Sequence, residues 1–236
     1  NLDRIRGAKP PPSRYSGNPG RPLRDLSDKE MTELRGAIGT LWKIASGIRK
    51  SRMKAGSLDL ESSEVKILVD DKGEPEEIRQ SESDESHHLI EEFMLLANET
   101  VARELRKKKL PGMFRVHPDP DPEDLEELRS FVSIFGISCG ELSSRKEVNK
   151  MLTLINKHAL AQVLRIKFLR SLKQACYRNA PDGHYGLAKR DYLHFTSPIR
   201  RYADLVVHRI VEKILRRQKI GKADREKMEG LAKHLS

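Results

Sequence analysis

Between His184 and Val211 the chain reads HYGLAKRDYLHFTSPIRRYADLVVHRIV. Histidine, tyrosine, two hydroxyl residues, adjacent arginines and an aspartate crowd into one short stretch. A plain amphipathic helix does not need that mixture. Ser197 is the predicted N-cap, with Thr196 before it and Pro198 at the first helical position, where a missing N–H costs nothing. First-turn N–H groups and the positive end of the helix dipole make such a start an anion site. Arg200 and Arg201 fall in the same turns, and a guanidinium grips phosphate oxygens with a planar fork. Hydroxyls, helix start and two arginines together suit a phosphodiester.

Two spacings shape the expected site further. Arg200 and Asp204 are four residues apart, and so are Asp204 and His208, so each pair is predicted to share a helix face. Exposed pairs of this kind contribute only about 0.3–0.5 kcal/mol, so stability alone explains the arrangement poorly.

The elements that must hold this stretch are legible upstream. Residues 1–25, with GAKPPPSRYSGNPGRPLR at their heart, are predicted to be a flexible arm. Ser27 and Glu30 form a capping box for a helix carrying Met31, Leu34, Ile38, Leu41, Ile44, Ala45 and Ile48, which Gly56 ends. EVKILVDDKGEPEEIR is predicted to be a β-hairpin turning at Gly73, which makes Asp70 and Asp71 turn residues rather than metal ligands. A long helix starts at Asp84. LPGMFRV is a short strand, and a Pro/Asp turn then leads into a helix capped near Asp121 and ended by Gly136. Residues 145–177 are predicted to be one long amphipathic helix with Leu152, Ile155, Leu160, Val163, Leu164, Phe168, Leu172 and Ala175 on its apolar face. The fold class is therefore α+β and α-rich, with long helices packed on a small antiparallel sheet.

Charge narrows the partners. The net charge is +10 over 236 residues, which favours an acidic partner such as nucleic acid. Residues 187–217 hold 8 Lys/Arg against 3 Asp/Glu, whereas residues 55–92 hold 3 against 13. The arginine stretch thus lies in a basic zone. Cys139 and Cys176 have neither metal-ligand spacing nor the look of a disulfide framework, which fits a cytoplasmic location. No apolar run reaches membrane-spanning length, so no membrane partner is expected.

HYGLAKRDYLHFTSPIRRYADLVVHR resembles the sequence hallmark of the ribonuclease II and ribonuclease R, or RNB-domain, family of exoribonucleases, and fits the ribonuclease R-like branch best. DESHHLIEEFMLLANETVARELRKKKLPGMFRV and the segments beside it extend the resemblance over residues 26–236, taken as the C-terminal part of an RNB domain. The resemblance implies hydrolysis of single-stranded RNA from its 3′ end to nucleoside 5′-monophosphates, with Mg²⁺ held by aspartates. By match to SPIRRY, Arg200 is the expected catalytic residue and stabilises developing charge. Arg201 would contact backbone phosphate or the protein. Either Glu91 or Glu92 would contact ribose, and Tyr185 and His194, with His184 and Tyr192, would line the site beside Thr196 and Ser197.

The sequence departs from that family in one respect that matters. The aspartate-rich DxxxxxDxDD segment is absent, so no metal ligand is assigned to this chain. The chain is accordingly expected to be truncated at both ends. Its missing partners would be the N-terminal half of the RNB domain and the OB-type RNA-binding domains. Two functions follow: part of an active exoribonuclease, or a non-catalytic RNA-binding remnant.

Overall fold

The computed structural model describes residues 26–58, 64–70, 73–81 and 84–236. The Pro/Gly-rich arm and Asp71 lie outside them. Among the described residues are seven helices and two two-stranded antiparallel sheets, an α-rich α+β fold. The chain divides into two compact units. The first comprises residues up to Ile48 and Ser63–Glu92, and the second comprises Arg49–Ser62 and Phe93–Ser236.

In the first unit, α1 (Asp28–Lys54) begins at the expected capping box: the Glu30 carboxylate accepts the Ser27 N–H at 3.0 Å, and the Ser27 hydroxyl accepts the Glu30 N–H at 3.4 Å. The hairpin pairs β1 (Glu64–Val69) with β2 (Pro75–Ser81), with Ile67 opposite Ile78. Gly73 turns it at φ +84°, and the Asp70 carboxylate accepts the Glu74 N–H, so Asp70 does turn chemistry as expected. Asp84 caps α2 (Glu85–Lys107) by accepting the N–H groups of Ser86 and His87.

The second unit holds two apolar clusters. One gathers α3 (Pro122–Ile134), α4 (Arg145–Asn156) and α5 (Ala161–Arg170) around Leu128, Val132, Met151, Ile155, Leu164 and Phe168. The other packs the C-terminal part of α2, α6 (Tyr202–Leu215) and α7 (Lys222–Leu235) around β3 (Phe114–Val116), through Leu105, Phe114, Val116, Leu193, Val207 and Met228. β3 pairs with β4 (Cys176–Arg178).

Two local expectations give way here. Residues 145–177 are not one helix. Helix α4 stops at its cap Lys157, the His158 ring accepts the Leu160 N–H at 3.0 Å in place of a helical bond, and α5 folds back so that Leu164 and Phe168 join Leu152 and Ile155 in one cluster. Cys176, inside the expected helix, is instead in a strand opposite Val116. At α3, Asp121 holds the N-cap position with no side-chain cap bond, because its carboxylate pairs with Lys173 at 2.6 Å. Gly136 ends that helix at φ +75° as expected.

Candidate nucleic-acid interface

The 184–211 stretch lies wholly in the second unit and is threaded along β3. The Arg115 N–H donates to the Tyr192 carbonyl at 3.0 Å, the His117 N–H to the Gly183 carbonyl at 3.1 Å, and the Tyr185 N–H to the His117 carbonyl at 2.8 Å. β3 therefore carries β4 on one side and this stretch on the other, with Phe114 opposite both Arg178 and Leu193.

α2 ties down the same stretch through polar side chains set within its apolar face. Asn98, nearly fully buried, accepts the Phe195 N–H at 3.0 Å and donates to the Tyr192 hydroxyl at 3.1 Å. Arg106 pairs with buried Asp191 at 2.5 Å, and Glu99 pairs with Lys189. Asn98, Ala102 and Arg106 are spaced by four, which puts them on one face of the helix. Sequence reasoning missed these anchors, although polar residues inside an apolar repeat are a signal for them.

The arginine turn has a different architecture from the one its spacing suggests. α6 starts at Tyr202, with Arg201 as N-cap in extended backbone at φ −129°, and not at Ser197. Ser197 to Arg200 form a turn in which the Ser197 carbonyl accepts the N–H groups of Arg200 (3.3 Å) and Arg201 (3.1 Å). Pro198 is the second residue of that turn, where its fixed φ is equally at home. The cause lies in Asp204, whose side chain is fully buried at the third position of α6. Its Oδ1 accepts the Ser197 N–H at 2.8 Å and an Arg201 Nη2–H at 3.0 Å, while Arg201 Nε stands 2.9 Å from Oδ2. One carboxylate thus folds the turn back on the helix start.

Both predicted side-chain pairs are corrected by the same contacts. Asp204 is bound by Arg201, not Arg200. His208 does not reach Asp204 either: its Nε2 donates to the Phe195 carbonyl at 2.7 Å, and its ring stacks on Phe195 at 4.0 Å. Of the two roles open to Arg201, the structure places it against the protein. Arg200 is left exposed, with no ion pair or hydrogen bond to its side chain among the described residues, beside a fully exposed Ile199. The Thr196 hydroxyl is enclosed without a hydrogen-bond partner among the described residues. Ser197 is partly buried, and its backbone rather than its hydroxyl carries the turn.

Behind the turn, aromatic rings run in a ladder. Tyr185, His117, His184, Tyr192, His194 and Tyr177 meet edge to face at centroid separations of 5.1–5.9 Å. Arg145 covers Tyr185 at 4.4 Å and Arg115 covers Tyr177 at 4.8 Å, so a cation sits at each end. Tyr185 is buried in the helical cluster. His194 Nδ1 shares a hydrogen bond of 2.9 Å with the Tyr177 hydroxyl. Burial, with His117 nearby, pushes His184 down to about 3, and burial, with Arg201 nearby, pushes His194 down to about 4. Both rings are neutral at pH 7, which suits packed residues more than proton donors.

Glu91 and Glu92 lie on α2 in the first unit. Glu92 is buried, whereas the Glu91 side chain is 47% exposed and stands 3.7 Å from His88. Among the described residues no group of three His, Cys, Asp or Glu side chains converges as a metal site. Asp191 and Asp204 are both committed to arginines. The described side chains do not make the oxygen cage that Mg²⁺ requires.

The Asp204 network thus folds a turn from which the exposed Arg200 projects. The comparisons with known proteins identify the domain. Residues 21–217 match the RNB domain, and the chain belongs to the RNB-domain family. Ribonuclease R of Thermotoga maritima is 40% identical over 195 residues, covering 80% of this chain and 27% of that protein. Ribonuclease R of Escherichia coli K12 is 37% identical over 183 residues, covering 77% and 22%. The structure of Mycoplasma genitalium RNase R in complex with double-stranded RNA superposes with a TM-score of 0.79 at 28% identity, covering 90% of this chain and 39% of that one. The chain spans about a quarter of the length of the curated relatives it matches. No described helix is long and apolar enough to cross a membrane.

Proposed function

We propose that this chain is part of a cytoplasmic hydrolytic 3′-to-5′ exoribonuclease, in which residues 26–236 form the C-terminal part of the RNB domain. The substrate is single-stranded RNA and the products are nucleoside 5′-monophosphates. The observation that carries the reading is Arg200: a cation without a protein partner among the described residues, on a turn fixed by a buried carboxylate, in a chain of the RNB family. Hydrolysis of a phosphodiester builds negative charge on phosphate oxygens, and a guanidinium held ready beside them stabilises that charge without reorganising. Arg201 and Asp204 do not touch RNA in this reading, and they set where Arg200 points. Thr196, whose hydroxyl is enclosed, and Ser197 shape the turn, and Tyr185 and His194 form the wall behind it. A glutamate of α2 accepts from the ribose 2′-hydroxyl, which distinguishes RNA from DNA, and exposure favours Glu91 over Glu92.

The family implies Mg²⁺, but the described residues do not fit it, and none of the roles given to them runs through the metal. The chain by itself is therefore expected to bind single-stranded RNA and not to degrade it. The test is to incubate 5′-labelled single-stranded RNA with Mg²⁺ and either the chain or Arg200→Ala, alongside binding by fluorescence anisotropy. Salt-dependent binding that weakens in the variant, with intact RNA, is the expected result. A ladder of 3′-shortened products lost in the variant would overturn the inactivity of the chain. Equal binding by both proteins would remove Arg200 from the site.

A further inference from the structure

Four helices end in the same hydrogen-bonded motif, and they do not fill it alike. In each, one N–H just past the helix reaches five residues back, and the residue before it, in left-handed backbone, donates three back. At α1 and α3 these bonds are Ser57 to Arg52 with Gly56 to Met53, and Ile137 to Val132 with Gly136 to Ser133. The left-handed position there is glycine, at φ +94° and +75°, as the steric cost of a Cβ demands. At α2 the bonds are Leu110 to Leu105 and Lys109 to Arg106, and at α6 they are Gln218 to Lys213 and Arg217 to Ile214. The left-handed residues are now Lys109 at φ +53° and Arg217 at φ +54°. A long cation occupies the position that glycine takes elsewhere in the same molecule.

Both of these ends lie by the start of α7. The Arg225 guanidinium donates to the Lys109 carbonyl at 2.9 Å, and four residues separate Arg217 from the start of α7 at Gly221. Leu110, Ile214 and Ile220, which border both turns, pack into one apolar cluster. Lys108, Lys109, Arg217 and Lys219 are all exposed, and none has a side-chain ion pair or hydrogen bond among the described residues. The neighbouring acids are already taken: Glu104 by Lys107, Glu212 by Arg216, Asp224 by Lys213 and Glu226 by Lys222. A favourable helix dipole does not explain the choice, because α2 and α6 carry Arg106, Lys107 and Lys213 in their last turns and would keep that benefit with glycine at the left-handed position. Backbone strain retained for a charged side chain is a mark of function.

We propose that the paired helix ends at Lys109 and Arg217 form a second phosphate-binding surface for single-stranded RNA, separate from the Arg200 turn. The proposal rests on the RNA reading above. α6 joins the two surfaces. Arg200 lies two residues before its first and Arg217 two after its last, so the two cations flank a 14-residue helix roughly 20 Å long. One strand that contacts both must be several nucleotides long, and the distal contact reads charge, not sequence.

The test uses the full chain and the variants Lys109→Gly, Arg217→Gly and both together, with Arg200→Ala in parallel. Affinity for labelled RNA oligomers of increasing length is measured over a range of salt, with thermal unfolding as the control. Glycine relieves the left-handed backbone, so the variants should melt no lower than the parent. They should nevertheless bind long RNA less tightly, about tenfold for the pair, with a salt slope smaller by about 0.7 per lost phosphate contact. RNA too short to reach past the Arg200 turn should be unaffected. Unchanged affinity for long RNA in the double variant, while Arg200→Ala weakens binding, would overturn the second surface and leave the first reading standing. A parent chain that binds no RNA would overturn both. Retention of the parent chain on an acidic protein but not on RNA would assign the cations to a different class of partner and overturn the proposal as well.

Discussion

The two ends of α6 solve the problem of presenting an arginine in opposite ways. At its start, Asp204 is sealed in the core and consumes Ser197 and Arg201 so that Arg200 need not be consumed. At its end, Arg217 has no ion pair among the described residues and is held out in left-handed backbone. The first arrangement invests a buried charge network in the geometry of one residue. The second costs conformational strain and little else. A cation whose direction matters is surrounded by fixed partners, and one that need only be positive is not. That contrast predicts a steep hierarchy of mutational effects.

The largest effect belongs to Asp204. Asp204→Ala leaves the Arg201 guanidinium and the Ser197 N–H facing a cavity in the core. Breaking a buried pair from one side costs on the order of 3–5 kcal/mol, a large share of the roughly 5–15 kcal/mol that holds a typical domain. Urea unfolding should show a collapse of the midpoint, and a shift no larger than that of a surface substitution would mean that the turn is not held as described. Asn98→Leu comes next. It strands the Phe195 N–H and removes one hydrogen bond from the buried Tyr192, and should cost about 2 kcal/mol in the same experiment.

This hierarchy also explains what the sequence disclosed. The Ser27 capping box, the hairpin turning at Gly73 and the glycine stops at Gly56 and Gly136 are local devices, so their residues are near one another in the chain and legible there. The helix break at His158 was not, because the apolar repeat runs on through it and only tertiary packing of Leu164 and Phe168 against α4 chooses the fold-back. The arginine turn misled for a related reason. Thr196, Ser197 and Pro198 carry a valid helix-start pattern, but the fully buried Asp204 carboxylate binds a backbone N–H seven residues away, and burial is invisible in a sequence. The expected Arg200–Asp204 pair failed for the same reason, since the turn brings Arg201 to the carboxylate instead. Asn98 and Arg106 needed knowledge of what α2 faces.

The histidine ladder sets an intermediate effect that varies with pH. An unfolded histidine titrates near 6.5, whereas folded His184 and His194 stay neutral down to about 3 and about 4. Between those values the unfolded chain binds protons that the folded chain refuses. Their contribution to stability is therefore fully present above pH 6.5 and is lost as the pH falls towards 4 and then 3. Glu127, Glu147 and Asp224, whose carboxyls are held below their usual range by hydrogen bonds, add to the loss only below about pH 4.5. The drop in urea midpoint from about pH 6.5 to about 5 thus reports the histidines. His184→Asn, which keeps an acceptor for the Leu187 N–H, should flatten that part of the profile. An unchanged slope would place the acid sensitivity elsewhere.

The smallest effect on stability should come from the residue that matters most to the proposed chemistry. Arg200 is exposed and makes no side-chain hydrogen bond or ion pair among the described residues that Arg200→Ala could break, so its unfolding midpoint should stay within about 0.5 kcal/mol of the parent. Arg201→Ala is the control that gives this meaning. It strips the fork from Asp204 and should cost several times more stability, while removing the same formal charge from the same turn. If the two neighbours weaken RNA binding through charge alone, both variants should lower the salt slope equally. If Arg200 is the presented cation and Arg201 the strut, Arg200→Ala should lose affinity with its fold intact, and Arg201→Ala should lose affinity only as far as the turn comes apart. Equal stability losses in the two variants would erase the distinction between the ends of α6, because Arg200 would then be another structural contact and not a cation held open for a ligand.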